Sequence, residues 1–306
     1  MGTPLVSVVI PCFNAEKYLR DAIVCALAQT YQPVEVIVVD DGSTDGSLET
    51  AQSFGSRIRL ISRSHQGAPA ARNCGIEAAS GEYIQLLDAD DLLDPGKLEH
   101  HRPFIERGDG GLSFCDGRAT CETGRDFLYD ASLNPGDDAV CYVLANSLPT
   151  VSPVYRKRAL LQVHGFREDL PCAQEFDLHL RMACAGIPFM HMPGKFYTQR
   201  KVEGGISRDY GKVLRQFENI IPPAYRDLEN RGNLSEDRRR VFAEAMCRAA
   251  SHILKLGDDE TARRYFEIAA SMHNSRGYSI YRPPVRLLHR ALGPVRAQRL
   301  IKRLRG

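Results

Sequence analysis

Apolar, strand-like segments alternate with helix-like segments through the first hundred residues, and this alternation constrains the fold more than any other feature of the chain. Such a pattern predicts an α/β fold in which a mostly parallel central sheet is flanked by helices. The predicted strands are Leu5–Ile10, Val34–Val39, Arg57–Ser62, Glu82–Leu87 and Gly111–Cys115. The predicted helices are Glu16–Gln29, Ser47–Phe54, Ala68–Ala79 and Pro95–Glu106, with Asn14 and Asp94 as helix caps.

The rhythm is lost over Asp116–Thr150, and a second pattern follows it. That pattern predicts Thr150–Tyr155 (strand), Lys157–Val163 (helix), a turn at Gly165, Gln174–Ala185 (helix) and Phe196–Lys201 (strand). From about Tyr210 the chain reads as amphipathic helices, such as Asp237–Lys255 and Glu260–Met272. We therefore expect an α/β domain over residues 1–209 and a C-terminal helical region over residues 210–306.

The composition excludes several classes of protein. A net charge of +2 over 306 residues leaves no basic surplus of the kind that nucleic-acid-binding domains carry, so no nucleic-acid partner is expected. Nine scattered cysteines without a CxxC pair indicate reduced thiols inside a cell, and neither a disulfide framework nor a zinc cluster. The opening residues predict a buried strand rather than a signal peptide, and no stretch reaches the roughly 18 apolar residues of a membrane span. We expect a cytoplasmic protein, either soluble or peripherally attached to the inner face of the membrane.

Two acidic clusters come directly after apolar strands. Asp40 and Asp41 follow one strand, and Asp88, Asp90 and Asp91 follow another. Ligands of open parallel sheets bind beyond the carboxyl ends of the strands, where these acids are expected. Crowded carboxylates repel one another unless a hard cation such as Mg²⁺ or Mn²⁺ accepts their oxygens. The alternatives are a turn-and-cap sequence for the first cluster and a solvated loop for the second.

Two predicted helix starts carry further candidate residues. Arg72 lies one turn into a helix beside Gly67 and Gly75, where a ribose or phosphate is readily received; the alternative is a surface helix with one stray arginine. Glu175 opens a later helix, where the helix dipole favours an ionised carboxylate that can act as a general base. The alternative is that this acid only stabilises the helix. Rival bases on the same helix are Asp177 and His179.

Taken together, these segments resemble the family 2 glycosyltransferases, the inverting enzymes with the GT-A nucleotide-diphospho-sugar transferase fold. The matching segments, in family order and spacing, are VSVVIPCFN, VVDDGSTDGS, GAPAARNCGI, YIQLLDADDLLDP and AQEFDLHLRM. The resemblance covers about Leu5–Ser207 and leaves out the last hundred residues. It implies transfer from a nucleotide-diphosphate sugar, expected to be a UDP-sugar, to a saccharide or lipid-linked saccharide acceptor. Such transfer belongs to surface polysaccharide or glycoconjugate synthesis.

The resemblance also implies individual roles on the donor and acceptor sides. Pro11 and Asp41 fall where the family contacts the nucleobase, and Arg72 where it contacts the ribose or base. Asp88 falls near the ribose, as the first acid of the DxD motif. Glu175 matches the catalytic base that takes the proton of the acceptor hydroxyl.

The same resemblance implies a divalent metal cofactor, Mn²⁺ or Mg²⁺. Asp90 matches the metal ligand of the DxD motif, and Asp91 is a second candidate ligand. The family often carries a histidine on a loop that closes over the diphosphate, but Val202 stands at that position here. The resemblance therefore leaves the phosphate contact to Arg200 or Lys201.

Other enzyme classes lack their signatures. A nucleotide-sugar pyrophosphorylase would need a glycine-rich basic loop after the first strand, and a dehydrogenase would need GxGxxG; the segment reads PCFNAEKY. A non-catalytic nucleotide-sugar-binding or scaffolding protein remains the alternative.

The C-terminal segment is basic and amphipathic. It holds eight basic residues among leucines and no acid: Arg282, Arg286, Arg290, Arg296, Arg299, Lys302, Arg303 and Arg305. This composition is typical of a helix on an anionic membrane surface, and equally of a basic face whose leucines pack on the domain.

Overall fold

The computed structural model describes residues 2–108, 110–121, 126–129, 132–134, 136–201, 209–275, 277–281 and 283–305. They form two compact units. One comprises the described residues through Ala139 together with Leu148–Lys201, and the other comprises Val140–Ser147 and the described residues from Asp209 onwards. The domain boundary drawn at residues 209 and 210 stays a prediction, and the short segment Val140–Ser147 clusters with the helical unit.

A sheet of nine strands, counted over the described residues, forms the first unit. The strands are β1 Val6–Cys12, β2 Val34–Asp40, β3 Arg59–Ser62, β4 Tyr83–Leu86, β5 Leu92–Leu93, β6 Leu112–Cys121, β7 Asp126–Tyr129, β8 Val154–Arg156 and β9 Phe189–Lys201. Their order is β3-β2-β1-β4-β8-β6-β9-β5, with β7 beside β6. β1 to β4 pair in parallel, β8 is antiparallel to β4 and β6, and β6 and β9 pair in parallel. The predicted α/β fold with a mostly parallel sheet is confirmed.

Helices cover this sheet and make up the second unit. Those of the first unit are α1 Glu16–Leu27, α2 Ser47–Gln52, α3 Ala68–Ala78, α4 Lys97–His100, α5 Arg102–Arg107, α7 Lys157–Gln162 and α8 Gln174–Cys184. The remaining helices are α6 Ala139–Ala145, α9 Tyr210–Arg215, α10 Phe217–Asn230, α11 Glu236–Lys255, α12 Asp259–Met272, α13 Pro283–Leu292 and α14 Pro294–Arg305. The predicted C-terminal helices are therefore present.

The predicted cap of α1 is wrong. The Asn14 side chain does not cap the helix; its Oδ1 accepts the Thr44 N–H at 2.8 Å. The cap comes from a distant turn instead, because the Asp45 carboxylate accepts the Glu16 N–H at 3.1 Å. Burial raises the pKa of Asp45, but its hydrogen bonds with Ser47 and Glu16 outweigh burial and lower the pKa overall. The turn after β2 therefore stabilises the start of α1.

The single helix predicted over Pro95–Glu106 is also wrong. The structure has two short helices, α4 and α5, that meet at His101. Pro103 lies in the first turn of α5, where its missing N–H costs nothing, but it cannot continue an earlier helix. The Asp94 side chain is no cap, since Gly96 occupies the N-cap position of α4 without a side-chain bond.

Close packing of α3 on β1 brings the site residues together. A Cβ at Gly75 of α3 would overlap the Val9 side chain of β1, so only glycine permits this approach. β1, β2 and β4 are buried and apolar, as strands covered on both faces must be. Their parallel arrangement places Cys12, Asp40 and the residues after Leu86 at one edge of the sheet.

Candidate active site

The turn that follows β4 carries three carboxylates. It is closed by a hydrogen bond from the Asp91 N–H to the Asp88 carbonyl at 3.0 Å. Asp91 is buried, and its carboxylate accepts the Arg200 N–H at 2.9 Å. Burial, reinforced by the Asp88 charge, raises the pKa of Asp90 to about 6, and burial with the charges of Asp88 and Asp90 raises the pKa of Asp91.

This turn fits a divalent cation that other oxygens help to hold. The raised pKa values of Asp90 and Asp91 mean that burial and neighbouring carboxylates disfavour their charged forms, which a bound cation would stabilise. Within the described residues, no group of three or more His, Cys, Asp or Glu side chains forms a complete metal site. Mg²⁺ commonly takes one or two carboxylates and completes its shell with substrate phosphates and water. The donor set therefore suits a cation bound together with a diphosphate.

Arg72 connects this turn to the start of α8. Its guanidinium donates to the Asp88 carboxylate at 2.8 Å and to the Gln174 side chain at 3.1 Å, and lies 3.2 Å from the Glu175 carboxylate. Arg72 is only 6% exposed, and its plane lies over the Phe166 ring at 5.3 Å. The two carboxylates raise its pKa against the opposing effect of burial. The buried Arg72 guanidinium thus lies between Asp88, the residue predicted near the ribose, and Glu175, the predicted catalytic base.

Glu175 lies in the first turn of α8 and is partly exposed to solvent. Its carboxylate is 25% exposed and accepts the Thr150 hydroxyl hydrogen bond at 2.9 Å. The residue before the helix, Ala173, has φ of 61°, a left-handed conformation that is uncommon for a residue other than glycine. Such backbone strain persists where the surroundings demand it, as at ligand sites.

The two rival bases are occupied in other ways. The Asp177 carboxylate is buried between Arg181, at 2.8 Å, and Arg167, at 3.4 Å. His179 is 1% exposed and its Nε2 lies 2.7 Å from the Tyr155 hydroxyl. Burial lowers the pKa of His179 to about 3. Neither side chain reaches solvent, which a proton acceptor for an incoming hydroxyl requires.

Asp41 is a buried anchor at the end of β2. Its carboxylate accepts the N–H groups of Gln66 and Gly67, the latter at 2.7 Å, and pairs with Arg63 at 3.2 Å and His65 at 2.9 Å. An ionised carboxylate offers about four acceptor sites, so these partners fill it. A nucleobase that bonded to this carboxylate would displace one of them. The predicted base contact of Asp41 stays a prediction.

The predicted nucleobase position also holds an aromatic surface that the sequence analysis missed. Pro11 is buried in β1 and pairs with Val39 of β2. Phe13, just beyond it, is 44% exposed and stacks on the His65 ring, with the ring centroids 4.0 Å apart. The sequence signal that could have found it is a phenylalanine directly after the first apolar strand, at the end where ligands bind.

Arg200 turns towards α1. Its guanidinium donates to Asp21 at 2.9 Å and lies 5.6 Å from the centre of the Tyr18 ring. Lys201 donates to the Gln199 side chain at 2.7 Å. The loop residues at which the sequence departs from the family pattern, including Val202, lie outside the described residues.

Comparison with known proteins decides the family. The profile of "Glycosyl transferase family 2" matches residues 7–154, which contain β2 to β7, the DxD turn and Arg72. Residues 7–154 of the chain therefore belong to glycosyl transferase family 2. Glu175 lies beyond the matched residues, so the role assigned to it does not follow from the match.

Relatives of this chain are described as glycosyltransferases. An uncharacterized glycosyltransferase of Haemophilus influenzae is 41% identical over 125 residues, which are 38% of this chain and 50% of that protein. One of Rickettsia felis is 34% identical over 193 residues, which are 58% of this chain and 31% of that protein. The glycosyltransferase GlyG of Streptococcus pneumoniae is 43% identical over 99 residues, 31% of this chain and 33% of GlyG. The chain spans half or less of the length of these relatives.

Solved structures share the GT-A fold with this chain. TarS 1–349 of Staphylococcus aureus, in complex with UDP-GlcNAc, gives a TM-score of 0.74 at 19% identity, covering 96% of this chain and 89% of that one. The mannosyltransferase PcManGT of Pyrobaculum calidifontis, in complex with GDP-Man and Mn²⁺, gives 0.60 at 16% identity, covering 96% and 84%. At these identities the likeness shows the fold alone.

Proposed function

We propose that this family 2 chain is a metal-dependent, inverting glycosyltransferase that moves a sugar from a nucleotide-diphosphate sugar to a hydroxyl acceptor. The observation that carries the proposal is the bridge made by Arg72. One guanidinium lies 2.8 Å from the Asp88 carboxylate and 3.2 Å from the Glu175 carboxylate. A donor seated on the DxD turn would therefore lie next to a partly exposed proton acceptor, which is the arrangement that a direct displacement needs.

The proposed chemistry is a single displacement at the anomeric carbon. The acceptor hydroxyl attacks that carbon, Glu175 takes the hydroxyl proton, and the bond to the diphosphate oxygen breaks, so that the configuration inverts. Asp90 and Asp91 would hold the divalent cation, Mn²⁺ or Mg²⁺. When bound, the cation neutralises charge that develops on the leaving diphosphate.

A UDP-sugar is the proposed donor. The exposed face of Phe13 beside Asp41 offers a flat apolar surface to a nucleobase, and aromatic faces stack well on bases. TarS, whose fold this chain shares, binds UDP-GlcNAc, whereas PcManGT binds GDP-Man. Both are therefore donors to test, with UDP-GlcNAc first. The proposed acceptor is a saccharide or lipid-linked saccharide in surface polysaccharide or glycoconjugate synthesis.

The proposed location is the cytoplasm, with the chain either soluble or peripherally attached to the inner face of the membrane. Cys12, Cys25 and Cys115 carry free thiols, as expected in a reducing compartment. Across the part of the chain that the structure describes, no helix is long and apolar enough to cross a bilayer.

α13 and α14 carry the features of a surface for anionic lipid. Leu287, Leu292 and Leu300 are 64%, 42% and 37% exposed. Arg290, Arg296 and Arg299 are exposed on the same two helices, although Arg299 also pairs with Asp259. Leucines that enter the interface and arginines that meet phosphate groups suit an anionic bilayer.

A panel of nucleotide sugars tests the proposed activity. We expect release of the nucleoside diphosphate from one of the UDP-, GDP- or dTDP-sugars in the presence of Mn²⁺ or Mg²⁺, together with thermal stabilisation by the same donor. Stabilisation by a donor without any turnover, with and without acceptor saccharides, would favour the non-catalytic binding alternative. The proposal would be overturned if every donor in the panel failed both to stabilise the protein and to be turned over.

A further inference from the structure

Two donors converge on one oxygen of the Glu175 carboxylate. The Thr150 hydroxyl donates to Oε1 at 2.9 Å, and Arg72 Nη1 lies 3.2 Å from the same atom. Oε2 receives no hydrogen bond from any of the described residues. The carboxylate is 25% exposed, whereas Thr150 is 4% exposed. The two oxygens of this carboxylate are therefore unequal, because Oε1 has two donors and Oε2 has none among the described residues.

Buried side chains hold the turn that carries Thr150. Lys97 Nζ donates to the Ser152 carbonyl at 2.6 Å, and Gln85 Nε2 donates to the Val151 carbonyl at 3.1 Å. The Ser152 hydroxyl donates to the Cys115 carbonyl at 2.8 Å. Lys97, Gln85 and Ser152 are completely buried. Because the turn is held from the interior at consecutive residues, the Thr150 hydroxyl has a defined position.

We propose that Thr150 is the positioning residue of the catalytic base, and that Oε2 of Glu175 is the atom that receives the proton. This inference rests on the proposed function. The terminal torsion of a free glutamate is broad, so an unheld carboxylate would present either oxygen at varying angles. The Thr150 hydroxyl holds Oε1, which leaves Oε2 aligned for the acceptor. The hydroxyl proton passes to Oε2 as the acceptor oxygen bonds to the anomeric carbon and the diphosphate leaves.

Two substitutions at this position separate the hydroxyl from the shape. Thr150→Val keeps the volume and removes the hydroxyl, whereas Thr150→Ser keeps the hydroxyl and removes a methyl group. With the nucleotide sugar of highest turnover in the panel, Thr150→Val should lower kcat by roughly ten- to hundredfold, the worth of one hydrogen bond to a charged group. The KM for the donor should change less than about twofold, because the hydroxyl touches only the base. Thr150→Ser should restore kcat to within about threefold of the parent.

A double substitution shows whether the effect passes through the base. In the Glu175→Gln background, the further change Thr150→Val should alter the residual rate by less than about twofold, since there is no longer a base to align. A purely structural role for Thr150 would instead lower the rate by the same factor in both backgrounds and lower the melting temperature in parallel with kcat. Either that result, or an unchanged kcat in Thr150→Val, overturns the inference.

The failure of the inference is distinguishable from the failure of the proposed function. If Glu175→Gln itself leaves the rate unchanged, the proposed base is wrong and the inference falls with it. If Glu175→Gln is impaired while Thr150→Val is fully active, the base stands and only the positioning role is overturned. A chain that turns over no donor in the panel overturns both.

Discussion

The two units of the molecule differ in what they bury. In the α/β unit the buried polar residues include Asp41, Arg72, Asp91, Gln174 and His179, and several of them lie at the carboxyl edge of the sheet. In the described part of the helical unit, the only polar residues that are buried are Ser251 and His289. Buried charge costs folding free energy unless it is paired, so its concentration in one unit calls for a purpose.

The helical unit is stabilised in the ordinary way. α11 buries Phe242, Met246 and Ile253, and α12 buries Tyr265 and Phe266. Its charges pair on the surface or remain exposed, as at Arg290 and Arg296. From this contrast we expect catalysis to depend on the α/β unit, and the helical unit to contribute stability and a cationic surface. Substitutions in each unit test this separation of catalysis from stability and surface charge.

The acidic turn after β4 should be indispensable for turnover. Asp90→Asn removes the charge that a divalent cation requires and should lower the rate at least about 10³-fold without unfolding the chain. Excess chelator should do the same to the parent protein. Asp94→Asn is the matched control, because Asp94 lies in the same segment but is 37% exposed and 3.9 Å from Arg118. Full activity of Asp90→Asn, or turnover that persists in chelator, would remove the metal from the proposal.

The start of α8 should supply the proton acceptor. Glu175→Gln keeps the shape but cannot take a proton at neutral pH, so kcat should fall by about 10² to 10⁴ with donor binding nearly unchanged. Steady-state kinetics and donor titration measure the two quantities separately.

Asp177→Asn is the control on the same helical turn. Its carboxylate pairs with Arg181 and Arg167, so its loss should lower the melting temperature and leave the turnover of the folded enzyme close to that of the parent. A near-normal kcat in Glu175→Gln, or donor affinity that falls in proportion to the rate, would rule out Glu175 as the base.

The cationic surface of α13 and α14 should affect membrane binding and not catalysis. Removing two charges with Arg290→Gln and Arg296→Gln should weaken binding to phosphatidylserine-containing vesicles by about 2 kcal/mol, or roughly thirtyfold. High salt should weaken binding of the parent protein as well.

Arg264→Gln is the matched control for that experiment, because Arg264 is occupied with Glu218 at 2.8 Å and should contribute little to lipid binding. Vesicle sedimentation measures the lipid binding of the parent protein, of the protein with Arg290 and Arg296 replaced, and of Arg264→Gln. If the parent protein binds vesicles without any dependence on salt, the surface packs in another way and the lipid proposal fails.

The smallest expected effect is a loss of folding stability as the pH decreases. The pKa of His179 is lowered to about 3 in the folded chain by burial, whereas an unfolded histidine titrates near 6.5. Below pH 6.5 the unfolded state binds more protons, so folding stability should fall as the pH decreases, by about 1 kcal/mol between pH 6.5 and 5.5.

His179→Gln retains an acceptor for the Tyr155 hydroxyl and should lose less stability over that interval. Denaturant unfolding at the two pH values compares the variants. Equal losses in both would show that His179 does not contribute to the pH dependence. His289 in the helical unit, whose pKa burial lowers to about 4, contributes with the same sign to both proteins.

Much of the α/β unit could be predicted because its signals are local. The runs that became β1, β2 and β4 are continuous and apolar, and the helices between them have clear periodicity. The structure starts β9 at Phe189, seven residues before the predicted strand, because Pro193 and Gly194 resemble a loop in sequence. Pairing with β6, including a register shift near Asp116, keeps that segment in the sheet.

For the site, the order of the amino acids is enough to predict which residue types stand at the strand ends. It placed Asp88, Asp90 and Asp91 after a buried strand and Glu175 at a helix start, and the family resemblance assigned their roles. The hydrogen-bond partners of these residues depend on the tertiary structure. Arg72 meets Asp88 across 16 positions and Gln174 across 102, and Thr150 meets Glu175 across 25. Such contacts depend on how helices pack on the sheet. The same packing buries His179 and Asp177 and leaves the Glu175 carboxylate partly exposed.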